Sequence, residues 1–109
     1  YPTESAYKTA QQAIIDTISQ HIYTTQANLR SQEQNLAELL DKAADAERNS
    51  QKVPKFLVDR IAGQRKAVAS QRALLLRQQR EKTASENDMD AKLQHYRDLR
   101  AQQKAQFGG

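Results

Sequence analysis

The chain contains two histidines, His21 and His95, the side chains best suited to metal binding and to proton transfer near neutral pH. If the chain folds back on itself near Lys52, as its periodicity predicts, the two histidines lie about 18 Å apart along the helix axis. They cannot then bind one metal ion within one chain. We expect both to be ordinary helix-surface residues.

No other group of residues has the spacing of a known catalytic or cofactor site. The sequence contains no HExxH motif and no glycine-rich phosphate loop. Asp88 and Asp90 come nearest to a carboxylate pair, but they fall on different faces of a helix. Cysteine is absent, which excludes disulfides, thiolate zinc sites and cysteine nucleophiles. The sequence therefore predicts a non-enzymatic protein with no catalytic residue, no cofactor and no metal site.

The composition favours long helices around a narrow apolar seam. Only 38% of the 109 residues are hydrophobic and 6% are aromatic, with three glycines and two prolines. The longest apolar runs fall far short of the roughly 20 residues that span a bilayer, so we expect no transmembrane segment. The first 50 residues carry four basic and seven acidic side chains, and the remainder carries 13 basic and six acidic ones. This asymmetry favours packing of one half against the other.

Apolar residues recur every seven positions in the first half of the chain, which is typical of coiled coils. One heptad site is apolar throughout: Ile15, Ile22, Leu29, Leu36 and Ala43. The companion site is filled less completely, by Ile18, Thr25, Gln32, Leu39 and Ala46. No proline or glycine interrupts this segment, so one helix is expected.

Pro54 marks the one clear break in the pattern. Proline disfavours helical geometry at the preceding Val53 and is accepted at the first position of a helix. Beyond the break, one heptad site is filled by Ile61, Val68, Leu75, Lys82, Met89, Tyr96 and Gln103. The two series pair about a common centre at Lys52, which lies inside the break.

This agreement predicts an all-α fold, an antiparallel two-helix coiled-coil hairpin that forms a single domain over 1–109. The helices should cover about 4–49 and about 54–106, with a turn over about 50–53. An alternative is a three-helix bundle with a break near 83–86, because Thr83-Ala84-Ser85-Glu86 has the form of a capping box. The heptad series keeps its phase through this point, which favours the hairpin.

Two residues depart from the seam pattern. Lys82 occupies a seam position, where it either extends its ammonium group to solvent or forms a polar notch that fixes the register. Gly63 lies inside a helix at a cost of about 1 kcal/mol relative to alanine. It either permits close approach of the facing helix near Asp41 or is a flexible point beside the turn.

Several apolar residues lie outside the seam and have no partner in a two-helix structure: Ile14, Leu40, Phe56, Leu57, Leu74 and Leu76. Some of them are expected to cluster beside the turn as an exposed patch of the kind that marks protein contact sites. This candidate partner-binding set, the turn patch, is Leu39, Leu40, Phe56, Leu57 and Val58. The alternative is that Phe56 only covers the end of the seam.

A run of cations makes the second helix basic and is a candidate anion-binding surface. This basic stretch is Arg65, Lys66, Arg72, Arg77, Arg80 and Lys82. The alternative is that these cations pair with acids of the first helix. Because no aromatic residue lies within the stretch to stack on bases, nucleic acid or another anionic surface is the less favoured partner.

The function that follows is a coiled-coil interaction module, either an adaptor or a structural protein. Two helices bury only one stripe each, so an isolated hairpin should be marginally stable. We therefore expect a protein partner, a homo-oligomer, or both.

In architecture the predicted hairpin resembles the stalk, chaperone and adaptor hairpins of bacterial secretion and efflux machines. The resemblance implies a place in a larger secretion or envelope assembly. If Tyr1 is a mature N-terminus left by signal-peptide removal, an exported, periplasmic protein is expected; otherwise the chain is a fragment of a longer soluble protein.

Overall fold

The computed structural model describes residues 3–107, which form two α-helices. Helix α1 is Glu4–Arg48 and helix α2 is Lys55–Phe107. The predicted all-α antiparallel hairpin is confirmed. The helix ends differ from the expected ones by one residue on each side of the turn, with α1 ending at 48 rather than 49 and α2 beginning at 55 rather than 54.

Helix α1 begins at an N-cap that the sequence analysis did not identify. The Thr3 Oγ1 accepts a hydrogen bond from the Ala6 backbone N–H over 3.0 Å. The Thr3 carbonyl oxygen accepts one from the Tyr7 N–H, also over 3.0 Å. Threonine satisfies backbone donors at a helix start that would otherwise have no partner.

Helix α2 continues through residues 83–86, so the three-helix alternative is wrong. The Thr83 hydroxyl donates to the backbone carbonyl oxygen of Gln79 over 3.1 Å. It bonds back to the preceding turn, as threonines do inside helices, instead of capping a new helix.

The described residues divide into two compact units, each containing a segment of α1 and an antiparallel segment of α2. Unit 1 combines the chain up to His21 with the chain from Gln78 onward. Unit 2 is Ile22–Arg77.

The core of unit 1 is apolar and includes both tyrosines of its seam. Its buried members are Tyr7, Ile15, Met89 and Leu93, and Tyr96 packs against them. The Tyr7 and Tyr96 ring centroids are 5.7 Å apart at an interplanar angle of 41°. Offset aromatic pairs of this kind add to the stabilisation from buried area.

Unit 1 also holds the start of α1 against α2 by charge. The Glu4 carboxylate lies 3.2 Å from Arg97 Nε and 3.0 Å from an Arg100 terminal nitrogen. Only 19% of the Glu4 side chain is exposed, so one carboxylate is shared between two more exposed guanidinium groups.

The seam of unit 2 is more polar. The polar Thr25 is buried in this unit, as are the apolar Leu57 and Val68. Gln64 Nε2 donates to the backbone carbonyl oxygen of Gln32 over 2.9 Å and so joins the two helices.

The seam predicted from the heptads agrees with the burial pattern. Both α1 series are buried or half-buried at every position. The α2 series is also buried or half-buried from Ile61 to Tyr96, with Lys82 half-buried, whereas Gln103 is exposed.

Gly63 does not permit a close approach of the facing helix. A Cβ atom added to it would meet no atom within 4 Å, and the residue is exposed. Of the two alternatives for Gly63, close approach of the facing helix near Asp41 is therefore wrong.

Candidate docking site at the hairpin turn

A backbone motif at Ser50 ends α1 and sets the course of the turn. Ser50 has a left-handed φ of 54°. Its N–H donates to the Glu47 carbonyl over 3.0 Å, and the Gln51 N–H donates to the Ala46 carbonyl over 2.8 Å. These are the two bonds of a Schellman motif, which satisfies the last carbonyl groups of a helix and reverses the chain.

Pro54 caps the start of α2 through its backbone carbonyl group. The carbonyl oxygen accepts hydrogen bonds from the N–H groups of Leu57 at 3.1 Å and Val58 at 3.2 Å. Pro54 therefore stands at the cap rather than at the first helical position that the sequence predicted. This cap sets the backbone of the first turn of α2 and therefore the directions in which its side chains point.

The structure separates the members of the turn patch by exposure. Leu57 is 5% exposed and belongs to the interior, so its expected place on the surface was wrong. Leu39 is half-buried. The exposed fractions of the other three are 37% for Leu40, 61% for Phe56 and 51% for Val58.

Of the three exposed members, only Phe56 borders the cleft beside the turn. In the heptad of α1, Leu40 occupies the e position and Lys42 the g position, which flank the seam on opposite sides. Val58 and Arg60 occupy the same two positions in α2. Phe56 borders the same cleft as Lys42 and Arg60, whereas Leu40 and Val58 do not border it. The turn patch is thus divided between two flanks.

A cleft of about 370 Å³ opens on the Phe56 flank, and all of its lining lies within unit 2. We name it the turn cleft. The end of α1, the turn and the start of α2 supply its lining residues: Leu39, Lys42, Asp45, Ala46, Asn49, Gln51, Lys52, Pro54, Phe56, Leu57 and Arg60.

The turn cleft combines an apolar wall with a cationic rim. Lys42, Lys52 and Arg60 are its cations, and Asp45 is its one acid. The Asp45 carboxylate also contacts Arg48, three residues further along α1, and both side chains are exposed. The Arg60 guanidinium carbon lies 5.6 Å from the Phe56 ring centroid, within the range of a cation–π contact.

The other apolar residues expected outside the seam are distributed along the helices. Ile14 and Leu76 are each 48% exposed, and Leu74 is half-buried. Phe107 is 81% exposed in the last turn of α2. None of these four borders the turn cleft.

The basic stretch is mostly exposed, and only one of its members forms an ion pair within the described residues. An Arg72 terminal nitrogen lies 3.2 Å from the Glu33 carboxylate. Lys82 is half-buried in the seam. The remaining four cations are exposed: Arg65, Lys66, Arg77 and Arg80.

The two histidines and Asp88 lie on the surface of the helices. His21 and His95 are both exposed. The Asp88 carboxylate forms a salt bridge with Lys92 over 3.2 Å. Over residues 3–107, no three histidine or acidic side chains come together in a way that could hold a metal ion.

Within the same described range, neither helix has a segment both long and apolar enough to cross a membrane.

No protein-family model, curated protein sequence or solved structure matches the chain.

Proposed function

We propose that the chain is a non-enzymatic adaptor or structural module that binds a protein partner through the turn cleft and the Phe56 ring beside it. The observation that carries this proposal is the exposure of Phe56 at 61% on the rim of a concave site, with the Arg60 guanidinium group over its ring. Aromatic residues, phenylalanine among them, and arginine are enriched in the cores of protein interfaces.

The surroundings of Phe56 support a role in binding. Leu57, the next residue, already fills the seam at the start of α2, so Phe56 is not needed to close it. Burial of an exposed aromatic ring in a complex is favourable by roughly 25 cal/mol of free energy for each Å² of apolar surface removed from water.

Helix packing also favours a partner. Each helix buries a single stripe, while the backbone entropy lost on folding is about 1–2 kcal/mol per residue. A partner that binds the folded hairpin stabilises it further by mass action. A second copy of the chain would stabilise the hairpin in the same way. Self-association is therefore a measurement to make together with partner binding.

The test is affinity capture from the native host's lysate with Phe56→Ala and its matched control, Phe107→Ala. Both variants remove an exposed phenylalanine ring from α2 and introduce a good helix former. We expect a defined protein to bind the unmodified chain and the Phe107→Ala variant but not the Phe56→Ala variant. Equal capture by all three would contradict the proposal, provided that circular dichroism shows the same helicity for each.

A second candidate function is binding of nucleic acid or another anionic surface through the basic stretch. It is favoured by the four exposed cations of that stretch that form no ion pair within residues 3–107. Such binding would weaken steeply with salt, because each neutralised phosphate releases counterions. If a DNA duplex, an RNA hairpin and acidic lipid vesicles all fail to bind at about 0.05 M salt, this function is excluded.

A further inference from the structure

We propose that the occupant of the turn cleft is an acidic–apolar peptide segment of a partner protein, in which an aliphatic or aromatic side chain stands next to carboxylates. This inference rests on the proposed function and specifies the chemistry of the partner. The volume of the cleft, its apolar wall and its cationic rim support this partner chemistry.

The volume and the wall determine the apolar part of the occupant. A cleft of about 370 Å³ is at the lower end of the range for ligand sites and admits one or two side chains rather than a whole domain. Leu39 and Leu57 form its floor and are half-buried and buried. Phe56 and Pro54 provide apolar surface at its edge. An apolar side chain of the partner would therefore lose its water contacts against this wall.

The rim determines the charge of the occupant. Lys42, Lys52 and Arg60 lie around the cleft, and Asp45 is the one carboxylate in its lining, so the rim carries an excess of positive charge. A ligand carrying carboxylates gains charge-assisted contacts here, whereas a basic ligand meets three cations. Arginine and lysine pair well with carboxylates that flank an apolar anchor.

The charge of α1 disfavours binding of an acidic ligand elsewhere on that helix. The first 50 residues carry seven acidic and four basic side chains, so α1 as a whole repels an acidic ligand. At the turn cleft, Lys52 of the turn and Arg60 of α2 add two cations to the Lys42 and Asp45 that α1 supplies. Acidic peptides should therefore bind at the turn cleft in preference to the remainder of α1.

The experiment is a selection of random 12-residue peptides displayed on phage against the full chain, with binding to a Lys42→Gln, Lys52→Gln double variant measured in parallel. An Arg77→Gln, Arg80→Gln double variant serves as the control, because it removes the same charge from exposed positions outside the cleft. We expect the enriched peptides to contain aspartate or glutamate beside an aliphatic or aromatic residue. Their synthetic counterparts should bind the cleft variant about tenfold more weakly, about 1.4 kcal/mol by the standard conversion, and the control variant unchanged.

Three results would overturn the inference. These are the absence of enrichment, enrichment of basic or uncharged peptides, and equal binding to the cleft variant. Sedimentation equilibrium on the same proteins tests a different occupant: self-association lost only in the Lys42→Gln, Lys52→Gln variant would assign the cleft to a second copy of the chain and contradict the partner peptide.

The lysate capture with Phe56→Ala separates this inference from the proposed function. If a captured protein depends on Phe56 but the selected peptides are not acidic, the docking function stands and the inferred partner chemistry fails. If neither depends on the turn cleft, both fail.

Discussion

Gln64 of α2 donates a hydrogen bond from Nε2 to the backbone carbonyl oxygen of Gln32 in α1, over 2.9 Å. Both glutamines occupy seam positions that a coiled coil ordinarily fills with apolar residues. The bond joins the helices of unit 2 some distance from the turn cleft, yet it leaves the side-chain Oε1 of Gln32 buried without a hydrogen bond from any described residue. Gln32 thus joins the two helices through its backbone carbonyl, while its side chain places an unsatisfied acceptor in the seam.

Replacing Gln32 by leucine should stabilise the hairpin. The substitution removes a buried acceptor without a partner, adds apolar surface to the seam and keeps the backbone carbonyl that Gln64 contacts. We expect the free energy of unfolding, measured by urea denaturation, to rise by about 1 kcal/mol. Gln34→Leu, at an exposed position of the same helix, should change it by less than about 0.5 kcal/mol. A decrease for Gln32→Leu would contradict the destabilising role assigned to this buried amide.

Gly63→Ala should also stabilise the fold. The added Cβ meets no atom within 4 Å, and alanine is favoured over glycine in a helix interior by about 1 kcal/mol. Thermal unfolding should show a higher Tm for Gly63→Ala and a lower Tm for Ala69→Gly, an exposed position one and a half turns further along α2. A lower Tm for Gly63→Ala would contradict the open space around this position.

Ser50→Gly should stabilise the turn, because Ser50 holds a left-handed φ of 54° that glycine adopts without strain. The expected gain in unfolding free energy is about 1 kcal/mol, from relief of the left-handed penalty. Ser70→Gly, in the exposed middle of α2, should lower it by a similar amount. Opposite signs for the two serine substitutions are the expected outcome in urea denaturation, and a loss of stability in both would contradict the Schellman motif.

Glu4→Gln should weaken unit 1 by removing the charge that Arg97 and Arg100 share. Both arginines are largely exposed, so the loss should be about 0.5–1 kcal/mol at low salt and smaller at about 1 M salt, where such pairs are screened. The control is Glu86→Gln, an exposed glutamate without an ion pair in the described part of the chain. A loss that is independent of salt would point to packing rather than charge.

The heptad spacing was sufficient to predict the seam, because residues at that spacing share one face of a long helix. Ile15 and Ile18 are buried as expected, and Pro54 locates the turn to within one residue of each helix end. Gln103 is exposed because the register pairs it with a position that precedes Glu4, where α1 begins. A periodic pattern does not by itself show where the partner helix ends.

The details of the candidate site could not be predicted in the same way. The apolar series of α2 from Ile61 marks only one heptad site and does not include Leu57. Leu57 lies seven residues before Gln64, at the second site, which the series does not reveal. Ser50 gave no signal, since a left-handed φ is unusual for serine. The turn cleft depends on how the Schellman motif and the Pro54 cap direct the chain, which is a property of backbone geometry and not of residue pattern.

The most direct test of the docking site is photo-crosslinking from position 56. A photoreactive phenylalanine analogue is incorporated in place of Phe56, or in place of Phe107 as the control, and irradiated in the native host cells. The proposed function predicts a crosslink to a defined protein from position 56 that is missing from position 107. The same crosslinks from both positions, or none from position 56, would contradict it.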